Sequence, residues 1–139
     1  RGTDEGGEGE NAPFKQALQE RMVQAFETER VFLDKKLTIV RLAEIVGTNR
    51  TYLSNFINAE LQSSFSDYVN GYRVSFAKTL LAENNAPLDV IAEMSGFNSV
   101  SSFRRMFSAV EGCTPGQYRR RACREKADGD IQPLLNENT

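Results

Sequence analysis

Histidine is absent from this 139-residue chain, and cysteine occurs only twice, at Cys113 and Cys123. Without His, the common metal-ligand sets and every His-based acid/base or nucleophile pairing are excluded. Two Cys make no disulfide framework and read as ordinary thiols. No apolar run approaches the length that crosses a bilayer, so no membrane contact is expected of this domain. The carboxylates and lysines form no pair at catalytic spacing. No glycine-rich phosphate loop of the GxxxxGK[ST] type occurs, and the Gly-Gly-Glu-Gly run at 6–9 is linker-like. These absences argue against an enzyme, a metal site or a cofactor. The opening Arg1-Gly2-Thr3-Asp4 has neither a basic start with an apolar stretch nor an initiator Met, and so reads as a piece of a longer cytoplasmic chain.

Positive charge is also scarce. The formal net charge is −2, but it is unevenly spread. Residues 1–30 carry four basic and seven acidic side chains (−3), and residues 123–139 carry two and four (−2). The middle, 31–122, carries eleven and eight (+3). Only that middle is electrostatically suited to a polyanion.

What the chain does have is one pattern written twice. Leu42-Ala43-Glu44-Ile45-Val46-Gly47 is followed by Thr48-Asn49-Arg50-Thr51-Tyr52-Leu53-Ser54-Asn55-Phe56-Ile57. Some fifty positions later, Ile91-Ala92-Glu93-Met94-Ser95-Gly96 is followed by Phe97 through Phe107. In both copies Gly stands three residues after the Glu, and a new apolar periodicity begins beyond it. This is helix, tight turn, helix, with Gly supplying the permissive backbone of the turn.

The expected fold is all-α: two helix-turn-helix subdomains joined by a long linker helix, about seven helices in all. Residues 1–12 read as a disordered linker, and 13–36 as an N-terminal helix with its connection. In that helix Phe14, Leu18, Met22 or Ala25, and Phe26 recur at helical spacing as far as Arg30. The first helix-turn-helix occupies 37–63: Thr38 caps a helix over 39–46, Gly47 ends it, and Thr48 or Asn49 caps the next. The linker helix spans 64–83, opened by Ser64 and Asp67 in a capping-box arrangement, with Phe65, Tyr68, Val69, Tyr72, Phe76, Leu80 and Leu81 as one stripe. The second helix-turn-helix and a closing helix fill 84–122. There Leu88, Val90, Ile91 and Met94 form a short helix, and Phe103, Met106 and Phe107 face inward on the next. Thr114-Pro115 opens the closing helix, anchored by Tyr118. A flexible tail is expected over 123–139.

In a helix-turn-helix the second helix enters the major groove of DNA and its early outward positions meet base edges. Leu53 and Ile57 in one copy, and Phe103 and Phe107 in the other, are four apart and inward; aligning them requires one extra residue in the second turn. The outward positions are then Arg50, Thr51, Ser54 and Asn55, and Val100, Ser101, Arg104 and Arg105. Arg reads guanine bidentately and Asn reads adenine, so Arg105 and Asn55 are the expected base readers. Arg50 and Arg104 would read bases or hold phosphates, and Thr51, Ser54 and Ser101 are small enough for close approach. Thr38, Asn49 and Ser99 at helix starts, and Arg119 in the Arg119-Arg120-Arg121 run, are candidates for phosphate contact. Arg73, inside the linker helix, reads as a structural ion-pair partner. About 18 residues at ~1.5 Å each give the linker helix about 27 Å. With its flanking turns it would place the two readers near the ~34 Å of one DNA turn. The competing reading is an all-helical protein-interaction module that has lost DNA contact, which the thin charge and acidic flanks favour.

Several stretches resemble the DNA-binding domain of the AraC/XylS family of bacterial transcription regulators. They are Leu42-Ala43 with Gly47, Tyr52-Leu53-Ser54, Phe65 through Asn70 with Tyr72-Arg73, and Ala77 with Leu80-Leu81. A second signature follows as Ile91-Ala92, Gly96-Phe97, Ser102-Phe103, Phe107, Gly112 through Pro115 and Tyr118-Arg119. The resemblance implies double-stranded DNA as partner, both recognition helices as readers, and contact with RNA polymerase. The wording of 47–54 is similar to members at the C-terminus of Bacteroidetes hybrid two-component sensors. That implies the cytoplasmic part of a membrane-anchored sensor, with dimerisation through regions outside this chain. The family's base readers fall here on Thr51, Ser54, Asn55, Val100, Ser101, Arg104 and Arg105. The chain departs from the pattern at Asn55, where Arg is common, and at Asn58-Ala59 and Ser108-Ala109, where basic residues are common. It departs again at Gln62, near which Gly is expected.

Overall fold

The computed structural model describes residues 2–125. Its helices are α1 (Gly2–Val23), α2 (Ile39–Val46), α3 (Arg50–Glu60), α4 (Phe65–Glu83), α5 (Leu88–Met94) and α6 (Val100–Glu111). A seventh, α7, opens at residue 115 and continues to 125. The described residues contain no strand, and none of their helices is long and apolar enough to cross a membrane. The chain divides into two compact units, the first ending at Val69 and the second starting at Asn70.

In unit one, α1 runs back to Gly2, through residues the sequence predicts as a linker. Propagating a helix costs far less than nucleating one, so a helix begun over the periodic stretch can extend through poor helix formers. At its other end the expected single helix to Arg30 is broken. A π turn, Gln24–Thr28, follows α1, Arg30 adopts φ +54°, and a 3-10 turn covers Val31–Leu33. Leu18, Met22, Ala25 and Phe26 are all buried, so the choice between Met22 and Ala25 is no choice: both fall on one helical face at i, i+4, i+7 and i+8. These residues pack in one unit with Leu42, Ala43, Val46, Leu53, Phe56 and Ile57, the buried faces of α2 and α3. Phe14 is the exception: 37% exposed, it lies at the rim against Tyr52, ring centroids 5.0 Å apart.

Unit two is built around Val74, Ala77, Leu81, Ile91, Ala92, Phe97, Phe103 and Phe107. Phe97, Phe103, Phe107 and Tyr118 form a chain of ring contacts with centroids 5.3–5.7 Å apart. Thr114 opens α7 with a complete capping box: its Oγ1 accepts from the Gln117 amide at 3.1 Å, and Gln117 Oε1 accepts from the Thr114 amide at 2.9 Å. Two expectations change here. The stripe expected on α4 is mostly half-buried; the deeply buried positions are Val69, Val74, Ala77 and Leu81. The buried positions lie on one face of α4, rotated from the expected stripe toward Val74, Ala77 and Leu81. On α5, Ile91 and Ala92 are buried while Val90 and Met94 are 40% and 47% exposed. Seven residues make two turns, and only one face of them meets the core. Residues 123–125 continue α7 instead of starting a flexible tail, and the remainder of that expected tail, 126–139, lies outside the described residues.

The Gly expected near position 62 matters structurally. Gln62 follows α3 with φ +51°, the left-handed region, while the Ser63 amide reaches back to the Ile57 carbonyl at 3.2 Å. A non-glycine residue held there costs ~1–2 kcal/mol, whereas Gly loses ~0.5–1 kcal/mol more chain entropy on folding than Ala. Gln62→Gly should therefore stabilise unit one by about 0.5–1 kcal/mol, raising the denaturant midpoint at constant slope. A lowered midpoint would mean that the Gln62 side chain holds this turn.

Candidate nucleic-acid interface

The duplication seen in the sequence is reproduced bond for bond at the two turns. After α2, the Thr48 amide donates to the Ala43 carbonyl at 2.8 Å and the Gly47 amide to the Glu44 carbonyl at 3.3 Å. After α5, the Phe97 amide donates to Ala92 at 3.0 Å and the Gly96 amide to Glu93 at 3.3 Å. Both are Schellman closures, which need a left-handed residue at the glycine; φ is +81° at Gly47 and +92° at Gly96. At Gly47 a Cβ would also come within 3.2 Å of Arg21 Nη1, which donates to the Val46 carbonyl at 3.3 Å. Helix α1 thus holds the end of α2 directly.

The recognition helices α3 and α6 then start on side-chain caps. Asn49 Oδ1 accepts from the Tyr52 amide at 2.8 Å, and Ser99 Oγ accepts from the Ser102 amide at 3.1 Å. Asn49 stands two residues after its glycine and Ser99 three after its own, which is the one extra residue expected in the second turn. Burial fixes the rotation of each helix: Leu53 and Ile57 in α3, and Phe103 and Phe107 in α6, are at most 1% exposed. Each such side chain stabilises by ~1.5–3 kcal/mol on leaving water, so the outward faces are strongly determined.

Those faces carry the expected residues. Arg50, Thr51, Asn55, Ser101, Arg104 and Arg105 are exposed, and Ser54 and Val100 are half-buried. Three cations elsewhere are paired: Lys15 with Glu60 at 3.3 Å, Arg41 with Glu44 at 3.4 Å, and Lys78 with Glu111 at 3.2 Å. Arg50, Arg104 and Arg105 have no carboxylate partner among the described residues, which leaves them available to an anion or a base edge. Arg104 and Arg105 diverge to opposite flanks of α6. Arg104 borders a hollow with Leu88, Thr114, Pro115 and Gly116, whereas Arg105 borders a cleft with residues of α4.

Among the phosphate candidates, Thr38, Asn49 and Ser99 are exposed and each spends a side-chain oxygen on its own helix cap. The capping oxygens accept, so the Thr38 and Ser99 hydroxyl protons and the Asn49 amide protons are available to an outside acceptor. Arg119 also makes a contact within the chain, which leaves its remaining donors for a phosphate. Half-buried, it donates from Nη2 to the Ala86 carbonyl and ties α7 to the loop before α5. The sequence reading misses the residues that flank the recognition helices. Lys15, Tyr52 and Glu60 line a hollow with Asn55 beside α3, and Asn70, Arg73 and Asn98 line the cleft with Arg105 beside α6. No signal within a single stretch of sequence links these positions.

Comparison with known proteins places the geometry. A helix-turn-helix domain family matches residues 42–121. The HTH-type transcriptional regulator YtdP of Bacillus subtilis is 38% identical over 86 residues, which are 62% of this chain and 11% of YtdP. The chain thus spans a small part of that relative. Among solved structures, the C-terminal domain of AraT, a response regulator from Geobacillus stearothermophilus, superposes with a TM-score of 0.63 at 30% identity. It covers 76% of this chain and 82% of that one. The DNA-binding domain of AdpA, a global transcriptional factor solved with a target DNA, shares the fold with a TM-score of 0.65 at 23% identity, over 75% of this chain and 90% of that one.

Proposed function

We infer the function from one premise: the chain belongs to the AraC-type helix-turn-helix family of transcription-regulator DNA-binding domains. It is a family of duplex DNA readers, not of enzymes. We propose that α3 and α6 each enter a major groove and address successive grooves of one duplex. Arg105 and Asn55 read base edges, Arg50 and Arg104 contribute bases or phosphates, and Thr51, Ser54, Val100 and Ser101 make the close contacts. Thr38, Asn49 and Ser99 hold phosphates at the helix starts. The observation that carries this reading is the matched pair of turns, each followed by a helix that turns exposed polar residues away from its buried anchors, Thr51 and Asn55 on α3 and Ser101 and Arg105 on α6.

The parent protein is proposed to be a longer signalling regulator, as in AraT, whose matching part is the C-terminal domain of a response regulator. Its dimerisation regions lie outside this chain, and RNA polymerase is its further partner. Arg105→Ala should cost about 1–3 kcal/mol of affinity and flatten base preference at one operator position in a randomised-site selection. A selected motif identical to the wild type's would show that Arg105 does not read bases. A chain that shifts no duplex even at low salt would favour the protein-interaction module instead.

A further inference from the structure

Beside α6, unit two has a cleft of about 140 Å³ with a predominantly polar lining, unlike the mainly apolar hollows beside Lys15 and beside Arg104. Asn70 and Arg73 come from α4, Asn98 from the turn, and Ser102 and Arg105 from α6. Phe97 and Met106 complete the wall. Two guanidinium groups, two amides and a hydroxyl line it, and no carboxylate does. The corresponding hollow beside α3 is neutralised: its one cation, Lys15, is paired with Glu60 at 3.3 Å, and Phe56 and Ala59 make much of the rest.

Two guanidinium groups, two amides and a hydroxyl on one recess offer many N–H and O–H donors, the complement of an oxyanion. The cleft has room for one tetrahedral oxyanion with some of its hydration. Asn70 Nδ2 donates to Met106 Sδ at 3.3 Å, which fixes α4 against the middle of α6 and leaves a second amide proton for a ligand. A guanidinium has five donors, so Arg73 can hold an anion while keeping a contact within the chain.

We propose that this cleft seats one backbone phosphate of the strand bordering the groove that α6 enters, with Arg73 and Asn98 as ligands beside Arg105. The proposal rests on the DNA-reading function above and adds to it. Arg73 becomes a DNA-anchoring residue contributed by the linker helix, and α6 is locked in register by a contact outside the groove. Phosphate contacts position a reader without carrying sequence information.

The test is a methylphosphonate scan of an operator, each substitution removing the charge of one phosphate. The wild-type chain should lose about tenfold in affinity at one position flanking the α6 half-site. Arg73→Gln should weaken binding to operator and random duplex alike, lower the salt slope by about one, leave the selected motif unchanged and abolish the loss at that position. Arg73→Lys should recover the slope. Asn98→Ala, a change on an exposed turn residue, should blunt the same position, which keeps the test decisive if Arg73→Gln lowers the melting temperature. Scans and salt slopes unmoved by both variants overturn the phosphate seat while DNA reading stands. A wild-type chain that binds no duplex overturns both.

Discussion

Phe103→Ala should cost unit two about 3–5 kcal/mol, the range for truncating a buried aromatic, and abolish operator binding along with it. The side chain is 0% exposed and meets Phe97 and Phe107 at ring-centroid distances of 5.3 and 5.7 Å. Ring pairs of this kind add ~0.5–1.5 kcal/mol beyond area burial, and the site is bounded by other rings that cannot collapse to fill the gap. Against the ~5–15 kcal/mol of a whole domain, such a loss leaves α6 poorly held. The effect on DNA follows from the geometry: Phe103 and Phe107, the fully buried residues of α6, set which of its faces points outward. Amide exchange across Val100–Glu111 reads this unit separately from the other, and protection there should fall while amides of α2 and α3 keep theirs. Phe103→Leu, which keeps most of the apolar volume, should recover much of the loss. Wild-type exchange in Phe103→Ala would show that the ring chain does not hold α6.

The part of this molecule that the sequence discloses is the part fixed by local chemistry. Thr38, Ser64, Ser99 and Thr114 cap helices where their residue types and spacing predict, because a cap bonds an amide two or three positions away. Gly47 and Gly96 close helices for the same local reason. The anchors Leu53, Ile57, Phe103 and Phe107 are legible because four-residue spacing defines a helix face. Apolar periodicity says less about which of two apolar faces wins. Val90 and Met94 have the right spacing on α5 but stay largely exposed, because Ile91 and Ala92 take the core side. What local patterns cannot show is contact between distant segments. Arg21 on the Val46 carbonyl, Phe14 against Tyr52, and Arg73 in one cleft with Asn98 and Arg105 all depend on tertiary packing. The outward residues of the candidate interface were therefore readable, and their flanking residues were not.

Tethering two copies should raise affinity for a direct-repeat operator by about 10²–10⁴ over a single copy. The reason is electrostatic economy. The duplicated region carries only +3, and two of its cations, Arg41 and Lys78, are held in ion pairs with Glu44 and Glu111. Few phosphates are then neutralised per copy, and each contributes only ~0.9 to the salt slope. Raising affinity without new contacts requires that the second copy bind as an intramolecular event. A fusion of the full chain to a short parallel coiled coil supplies this, read by titration against one half-site and two half-sites at two salt concentrations. Avidity makes two distinct demands: the gain must vanish on the single half-site, and on the repeat the salt slope must approach twice the monomer's, because both copies then release counterions. A gain without the doubled slope would point to contacts made by the coil itself. Equal affinities for fused and single copies would mean that one chain is sufficient as a reader.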